Sequence, residues 1–368
     1  GEEHLRGQFP LLGARPHGRD RLLFSYPICF YEVSGLTGIP PVVGRDLSAL
    51  KGRTVAVLGY GNQGRAQSLN MRDSGVDEVI IGSIRDAGWD RAVEDGFQVY
   101  PIDEAAKRGD VILMLIPDEA QPSVFNAHVR DNLDEGDVLV FAHGYNIHFG
   151  FISPPGFVDV VLVAPRMIGW GLRELYLRGE GAPAYVAVHQ DHSGRALDTA
   201  LALARAIGAT RTVMSSFAEE TEIDLYMEQA LWAAVTRVML LSFEVLVEEG
   251  YPPEVVALEL YGSGEASEVL KAMAEMGFYR QMSLHSQTSQ YGTLSRGPLL
   301  IGDEFKLRLR EVLEDIRTGR FAREWALEQM LGYPVFRKLR DRALKHPINK
   351  AEEGMRRLTA GDRPLGAT

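Results

Sequence analysis

The stretch TVAVLGYGNQG, residues 54–64, joins a short apolar run to a Gly-x-Gly-x-x-Gly turn, and the helix-like segment 65–72 follows it directly. A strand before this turn and a helix after it are the context that a dinucleotide-binding fingerprint requires. Gly59 permits a tight turn, Gly61 lets backbone N–H groups approach a pyrophosphate, and Gly64 lets the helix lie close to the strand. The stretch therefore predicts a Rossmann-type nucleotide site. The alternative is a glycine-rich turn that binds nothing.

Further apolar runs follow this stretch in a regular rhythm. They are EVIIG, VILMLIP, VLVFAHG, VVLVAP and AYVAVH, and polar or alanine-rich segments separate them. This alternation predicts a parallel sheet flanked by helices. From residue 217 onward the strand signal ends, and helical periodicity takes over in the segments 219–249, 252–276, 304–318 and 320–331. We therefore predict an N-terminal arm over 1–45, an α/β Rossmann domain over 46–214, an all-α domain over 215–360 and a loose tail over 361–368.

The composition limits the classes of function. The chain has 368 residues, and its 39 basic against 50 acidic residues give a net charge of −11, which argues against nucleic acid or an anionic membrane surface as a partner. Cys29 is the only cysteine, so neither an intrachain disulfide nor a thiolate metal cluster can form. This cysteine usage predicts a cytoplasmic location. No stretch of about 18 apolar residues predicts a membrane span.

The end of the second apolar run bears on the choice of coenzyme. An NAD-preferring site usually carries an acid about 20 residues after the glycine turn, but this chain has Gly82-Ser83-Ile84-Arg85 there. Arg85 suits a 2′-phosphate by charge and bidentate geometry, and the hydroxyl of Ser83 can donate a hydrogen bond to it. Asp86 would repel that phosphate if it pointed inward, so NADPH is favoured only modestly over NADH. An ordinary solvated cation is the alternative for Arg85.

Three more apolar runs end in polar residues. The segments are PDEAQ at 117–121, HGYNIHF at 143–149 and PRMIG at 165–169. The carboxyl ends of parallel strands form the crevice in which open α/β sheets bind ligands, so we expect these segments to converge on one site. His143, at the tip of its run, is expected to meet coenzyme or substrate. His148 is expected to serve in packing or hydrogen bonding.

Acidic residues cluster on the first predicted helix of the C-terminal half. In FAEETEIDLYMEQ, residues 217–229, Asp224 and Glu228 are four apart and share a helix face, where their charges repel unless a cation lies between them. Mg²⁺, which prefers carboxylate oxygens, is one answer. An acidic solvated face is the other, and the pattern alone favours it. Glu259, Glu265 and Glu268 follow near two glycines and are either further ligands or surface acids.

Seven motifs together resemble the ketol-acid reductoisomerase family. GYGNQG, PDEAQ, AHGYNIHF, the strand-end AP followed by Gly169, FAEETEIDLYMEQ, SQTSQYG and IRTGRFAREW occur in the family's order between about residues 46 and 358. The resemblance implies a Rossmann domain and a knotted helical domain and, in this single-copy form, a homodimer or larger assembly with shared active sites. It also implies Mg²⁺-assisted alkyl migration in a 2-hydroxy-2-alkyl-3-keto acid and NADPH-dependent reduction to a dihydroxy acid, as in branched-chain amino-acid biosynthesis.

The resemblance also assigns site residues one by one. His143 matches the family's active-site histidine, and Ser286 in SQTSQYG matches its substrate-binding serine. Asp224 and Glu228 match two metal ligands, with Asp224 in the bridging position. The resemblance therefore favours a Mg²⁺ site over an acidic solvated face on this helix. The positions that match coenzyme contacts are Tyr60, Gly61, Asn62, Gln63, Arg85, Asp118, Gln121 and Gly169.

The chain departs from the family pattern where the family has a lysine within AP-Lys-Gly-Pro-Gly-His. Arg166 stands at that position, followed by Met167 and, further on, Trp170. Arginine keeps the charge but adds bulk, planarity and a fixed fork, so we expect Arg166 to take the lysine's place in catalysis. Because Met167 and Trp170 add apolar volume, we expect 2-acetolactate to be a poor substrate.

A third departure is the arm over 1–45, which has no counterpart in the compact family members.

The second departure affects the metal site. The family's second metal pair is Glu-x-x-x-Glu, yet Glu259 is followed at i+4 by Ser263. Glu265 falls on the second glutamate only if two residues are inserted. One Mg²⁺ is therefore expected, and a second ion stays open.

Three functions are open on this basis. The first is a working reductoisomerase with a variant pocket. The second is a diverged reductase of another keto or imine substrate in a specialised pathway, without isomerase activity. The third is a cofactor-binding protein that has lost catalysis, against which His143, Asp224 and Glu228 speak.

Overall fold

The computed structural model describes residues 46–359, so the predicted arm and tail lie outside the described residues. The strands are β1 (Thr54–Leu58), β2 (Glu78–Gly82), β3 (Gln98–Tyr100), β4 (Val111–Met114), β5 (Val138–Phe141), β6 (Asp159–Pro165), β7 (Ala182–Gln190) and β8 (Ala209–Met214). The helices of the sheet region are α1 (Asn62–Asp73), α2 (Ala87–Glu94), α3 (Ile102–Arg108), α4 (Gln121–Val124), α5 (Tyr145–His148), α6 (Gly169–Leu177) and α7 (Ala196–Ala206). The later helices are α8 (Phe217–Tyr226), α9 (Ala233–Glu248), α10 (Pro253–Ala257), α11 (Glu265–Met276), α12 (Gln287–Leu300), α13 (Asp303–Arg317), α14 (Arg320–Met330), α15 (Pro334–Leu344) and α16 (Pro347–Thr359).

The strands form one sheet in the order β3-β2-β1-β4-β5-β6-β7-β8. Neighbouring strands are parallel, except that β7 runs antiparallel to β6. The prediction of a parallel sheet is therefore wrong for this pair, because the alternation of apolar runs carries no information on strand direction. On one face of the sheet region, α6 packs along α1. The strands β3 and β8 were not predicted: three residues are too few for a periodic signal, and β8 is largely polar.

Alternate residues of the central strands face two hydrophobic cores. In β1, Val55 and Val57 join the core that contains the buried face of α7, whereas Ala56 and Leu58 join the core on the opposite side of the sheet. All four are fully buried. A strand that is buried on both faces reads as a continuous apolar run, which is why β1 and its neighbours were predictable from the sequence.

The order of the strands creates the crevice. The chain leaves β1 towards β2 on one side, and β4 pairs with β1 on the other, so the loops after β1 and β4 diverge at this point. Such a reversal of strand order is where open α/β sheets bind ligands. The turn at 59–64 and the segment 117–121 lie on its two sides.

The helical part differs in detail from the predicted segments. The predicted helix 252–276 is interrupted at Ser263 and Gly264, where Gly264 has a φ of 82°. The helices α12, α15 and α16 lie outside the predicted helical segments. Two π-helical turns, Met227–Trp232 and Leu258–Gly262, continue α8 and α10, and π-helical turns occur frequently at functional sites.

The run 217–248, formed by α8, a π-helical turn and α9, is strongly apolar. It is 32 residues long and, by length and composition, could cross a membrane, although only 11% of its most apolar window is buried within one chain. The expectation that no segment has the length and apolarity of a membrane span is therefore not met by this run. Its exposed side chains include Leu231, Trp232, Val238 and Val245.

Candidate functional site

The glycine turn after β1 has the geometry of a nucleotide-binding loop. Gly59 has a φ of 98°, which side chains rarely adopt, and its backbone N–H donates to the Gly82 carbonyl. A Cβ on Gly64 would collide with the Gly59 carbonyl, so glycine is needed for α1 to lie this close to β1. A Cβ on Gly61, by contrast, would meet nothing within 4 Å. The open space at Gly61 is where a coenzyme pyrophosphate can approach the backbone.

The side chains of this turn bind the chain itself. The buried Tyr60 donates its hydroxyl to Asp95, so only its backbone can contact a coenzyme. Gln63 donates from Nε2 to the Met167 carbonyl at 2.9 Å, which ties the turn to the end of β6. Asn62 lies exposed at the start of α1.

The loop after β2 carries the expected phosphate-binding residues. The guanidinium of Arg85 stacks over the Trp89 ring, 3.9 Å from its centroid. Asp86 accepts a hydrogen bond from the Trp89 backbone N–H at 3.0 Å and so caps α2. Ser83 is buried and its N–H donates to the Tyr100 carbonyl. Arg85 is therefore the exposed cation of this loop, and Asp86 is engaged by the helix.

The segments after β4 and β5 meet through a hydrogen-bonded pair. Asp118 Oδ2 lies 2.7 Å from His143 Nδ1. Gln121 is buried and donates to the Met114 and Ile116 carbonyls, while Asn146 donates to Gln121 Oε1. The two residues that were assigned to coenzyme contacts, Asp118 and Gln121, thus orient the histidine and brace its loop.

The end of β6 meets the acidic helix α8. Arg166 Nη2 donates to Asp224 Oδ1 at 2.5 Å, and its Nη1 donates to Glu220 Oε1 at 3.1 Å. Glu220 is 1% exposed, and its other oxygen accepts from the Gly144 N–H at 2.7 Å. A Cβ on Gly144 would lie 2.6 Å from the Phe217 carbonyl, so this glycine lets α8 approach the end of β5.

These contacts bring a histidine and two carboxylates to one point. Ligand atoms of His143, Glu220 and Asp224 lie within 4.8 Å of one another, and within residues 46–359 no other group of His, Cys, Asp or Glu meets that criterion. His143 Nε2 is buried, has no hydrogen-bond partner among the described residues and lies 3.7 Å from Asp224 Oδ2. Asp224 Oδ2 is thus open to a divalent cation, and His143 can present a proton at Nε2.

Burial and neighbouring charges shift pKa values in this site, among them those of His143 and Glu228. Burial opposes the charge on His143, but the hydrogen bond with Asp118 and the surrounding carboxylates outweigh it and raise its pKa to about 9. Partial burial, followed by the charge of Asp224, raises the pKa of Glu228. Asp118 and the neighbouring carboxylates therefore favour the charged form of the His143 ring.

The remaining predicted residues are not brought to this point within one chain. Glu259, in the π-helical turn Leu258–Gly262, and Glu265, at the start of α11, are exposed and lie outside the histidine–carboxylate group. Ser286 caps α12, where its hydroxyl accepts from the Ser289 N–H at 3.2 Å. Trp170 is 62% exposed and so encloses no pocket within one chain.

Comparison with known proteins agrees with this geometry. The family model for the acetohydroxy acid isomeroreductase NADPH-binding domain matches residues 49–213, and the model for the ketol-acid reductoisomerase C-terminal domain matches residues 217–360. The chain belongs to the ketol-acid reductoisomerase family. The predicted fold class, a Rossmann α/β domain followed by a helical domain, is confirmed.

Individual members of the family match this chain over nearly their whole length. The ketol-acid reductoisomerase (NADP⁺) of Methanopyrus kandleri is 48% identical over 318 residues, 85% of this chain and 95% of that protein. The enzyme of the same name from Pyrococcus abyssi is 44% identical over 323 residues, covering 86% and 96%. A solved NADH-preferring ketol-acid reductoisomerase from an uncultured archaeon has 38% identity and a TM-score of 0.82, with 86% and 97% covered.

Glu220 is the member of this ketol-acid reductoisomerase site that sequence reasoning missed. It lies in a run with Glu219 and Glu222, and nothing local distinguishes it from them. Its spacing is the signal that could have found it, because Glu220, Asp224 and Glu228 follow one another at intervals of four and share a helix face.

Proposed function

We propose that this ketol-acid reductoisomerase family member is an NADPH-using, Mg²⁺-dependent reductoisomerase of a small 2-hydroxy-2-alkyl-3-keto acid. The observation that carries the proposal is the meeting of two pairs, Asp118 with His143 and Arg166 with Asp224, at the crevice beside the glycine turn. Relatives that are 48% identical over nearly their whole length carry the name ketol-acid reductoisomerase (NADP⁺), which supports the same reaction here.

The residues fit the coenzyme and one metal ion. The open space at Gly61 and the helix N-terminus behind it suit a pyrophosphate. Asp118, Glu220, Asp224 and Glu228 bring four formal negative charges, against which His143 and Arg166 bring two positive ones. This excess of acidic side chains favours a divalent cation, which Asp224 and Glu228 would hold through oxygens. When bound, NADPH supplies a hydride and Mg²⁺ polarises substrate oxygens.

The chain itself orients and protonates the substrate. Asp118 holds the ring of His143 by Nδ1, which leaves the proton on Nε2 directed away from that pair. With coenzyme and substrate bound, Nε2 would give this proton to the substrate oxygen that gains negative charge in the reduction. Arg166, fixed by two carboxylates, places a positive charge beside the same oxygen-binding region.

A test of this function compares two keto acids. We expect a 3-hydroxy-2-keto acid, which needs reduction alone, to be turned over with NADPH and Mg²⁺. We expect 2-acetolactate, which must first rearrange, to react with a kcat/KM below about 10⁴ M⁻¹ s⁻¹. Turnover of neither acid by protein that binds NADPH would overturn the proposal and favour a cofactor-binding protein.

A second candidate is a reductase without isomerase activity. The contact of Arg166 with Asp224 favours it, because that contact occupies an oxygen which a fully metallated site would use. In the same assay, this candidate predicts reduction of the 3-hydroxy-2-keto acid and no detectable reaction of 2-acetolactate. A keto or imine compound of another pathway would then be the natural substrate.

Coenzyme choice is predicted to depend on Arg85. Because Asp86 is engaged by α2 while Arg85 is exposed, replacing Arg85 by alanine should raise the KM for NADPH about tenfold and leave that for NADH nearly unchanged. Steady-state kinetics with both coenzymes measure this. The variant Arg91→Ala, on the next helix, serves as the control for loss of a nearby charge. Equal effects of Arg85→Ala on both coenzymes would remove the residue from the phosphate site.

A homodimer or larger assembly is also proposed. Few side chains of the apolar run 217–248 are buried, and α12, which carries Ser286, has no extensive contact with another element within residues 46–359. A second copy that covers these faces would bury the apolar surface and bring Glu259, Glu265 and Ser286 of one chain to the site of the other. We propose this in place of a membrane, because Asp224, Glu228 and Arg237 lie along the run. A cytoplasmic location stays a prediction.

Light scattering at micromolar protein tests the assembly. We expect a mass of at least two chains, because a helix face of this size is rarely left in water by a monomer. A mass of one chain, at concentrations that sustain activity, would contradict the shared active site.

A further inference from the structure

The position after β6 distinguishes this chain from the family pattern, and its contacts define a fixed charge. Arg166 spans two carboxylates on successive turns of α8, and its guanidinium also lies over the Tyr185 ring, 4.9 Å from the centroid. A lysine ammonium is a compact point charge, whereas the planar fork of arginine donates to two acceptors at once. The guanidinium is therefore held in one place by Glu220, Asp224 and Tyr185.

This arrangement leaves few oxygens free for metal ions. Both oxygens of Glu220 are engaged, one by Arg166 and the other by the Gly144 N–H. Asp224 gives Oδ1 to Arg166 and retains Oδ2, on the side of His143. A carboxylate usually bridges two ions with one oxygen on each of them. Asp224, to which the family resemblance assigns the bridge, has one oxygen left for an ion.

An independent change affects the second group of ligands. Ser263 stands four residues after Glu259, where the family pattern has a glutamate, and a hydroxyl brings no negative charge. The π-helical turn ends at Gly262, Gly264 has a positive φ, and Glu265 begins a separate helix. Glu259 and Glu265 therefore do not lie at i and i+4 of one continuous helix. Neither the bridging carboxylate nor the second pair is in the form that a second ion would require.

We propose that the centre holds one divalent ion per active site and that the guanidinium of Arg166 supplies its second positive charge. The inference rests on the proposed metal site at Asp224 and Glu228. One ion and one guanidinium balance the acidic side chains as two ions would in a site with more carboxylates. The second charge is part of the chain and, unlike an ion, cannot dissociate.

Counting bound ions tests the inference directly. Mn²⁺, which shares the preference of Mg²⁺ for carboxylate oxygens, can be titrated into the NADPH-loaded protein and followed by electron paramagnetic resonance. We expect saturation at one Mn²⁺ per chain. Saturation at two would overturn the inference but leave the proposed function standing. Absence of binding would overturn both the metal site and the inference.

Variants of Arg166 separate its charge from its shape. Arg166→Gln removes a cation that competes for Asp224, so we expect it to tighten Mn²⁺ binding about tenfold or more. Arg166→Lys keeps the charge and should change the affinity less. Arg173→Lys is the matched control, because Arg173 also bonds two acceptors, Asn70 and Asp73, away from the site. It should leave Mn²⁺ binding unchanged.

Two outcomes would contradict this role. Unchanged or weaker Mn²⁺ binding in Arg166→Gln would mean that the guanidinium does not compete for the metal ligand. An equal tightening in Arg173→Lys would mean that the effect is not local. Thermal unfolding of each variant identifies any that fail to fold. If Arg166→Gln fails to fold, Mn²⁺ binding by Arg166→Lys is compared with that of the unmodified protein instead.

Discussion

Replacing Asp224 by asparagine is expected to lower Mg²⁺-dependent kcat/KM by a factor of about 10²–10³ or more. The side chain is the meeting point of the site, because one oxygen accepts from Arg166 and the other faces His143 Nε2. An amide neither neutralises a divalent ion nor accepts through both of its terminal atoms. Initial rates over a range of Mg²⁺ concentrations, together with Mn²⁺ titration, measure the loss.

The helix α8 supplies the control for this variant. Glu222 lies on the same helix and pairs with Arg317 on the surface at 2.8 Å, so Glu222→Gln removes a carboxylate of the same helix without touching the site. It should leave turnover close to that of the unmodified enzyme. Full activity of Asp224→Asn, or full activity of the unmodified enzyme in EDTA, would exclude a metal at this position.

The fold was predictable where burial is complete. The runs that became β4 and β5 are buried throughout, and β1 is buried after Thr54, so their apolar character reports directly on the sheet. The short β3, the polar β8 and the reversed direction of β7 left no comparable trace, because they depend on pairing with strands already in place. Local sequence patterns do not contain that pairing.

The site was predictable as a place but not as a network. Strand-end position and helix spacing led to His143, Arg166 and Asp224, and these residues do meet. Sequence reasoning assigned Asp118 to the coenzyme and did not foresee that its carboxylate bonds His143. It also missed Glu220, whose spacing from Asp224 was the available signal and whose burial and ion pair with Arg166 define its role. Partners that lie 25 to 58 residues apart are set by tertiary packing.

Two glycine-to-alanine changes, one in the glycine turn and one at the start of α6, are expected to separate coenzyme binding from stability. Gly61 has a φ of −81°, which alanine adopts freely, and its Cβ would enter open space. The protein should therefore be as stable as before or slightly more so. The methyl group nevertheless lies where a pyrophosphate would meet the backbone, so we expect the Kd for NADPH to rise about tenfold or more.

Gly169 should respond in the opposite way, although the family resemblance places it among the coenzyme contacts too. A Cβ there would collide with the backbone carbonyl of Asn62, and backbone cannot yield as a flexible side chain does. We expect Gly169→Ala to force α6 away from α1 and to lower the free energy of unfolding by about 3 kcal/mol. Chemical denaturation and fluorescence titration with NADPH measure both variants. The described packing would be contradicted by a Gly169→Ala protein with an unchanged free energy of unfolding, or by a Gly61→Ala protein with a lowered one. Tight NADPH binding by Gly61→Ala would instead contradict the pyrophosphate site, because in this chain the close approach of α6 and the approach of the coenzyme depend on different glycines.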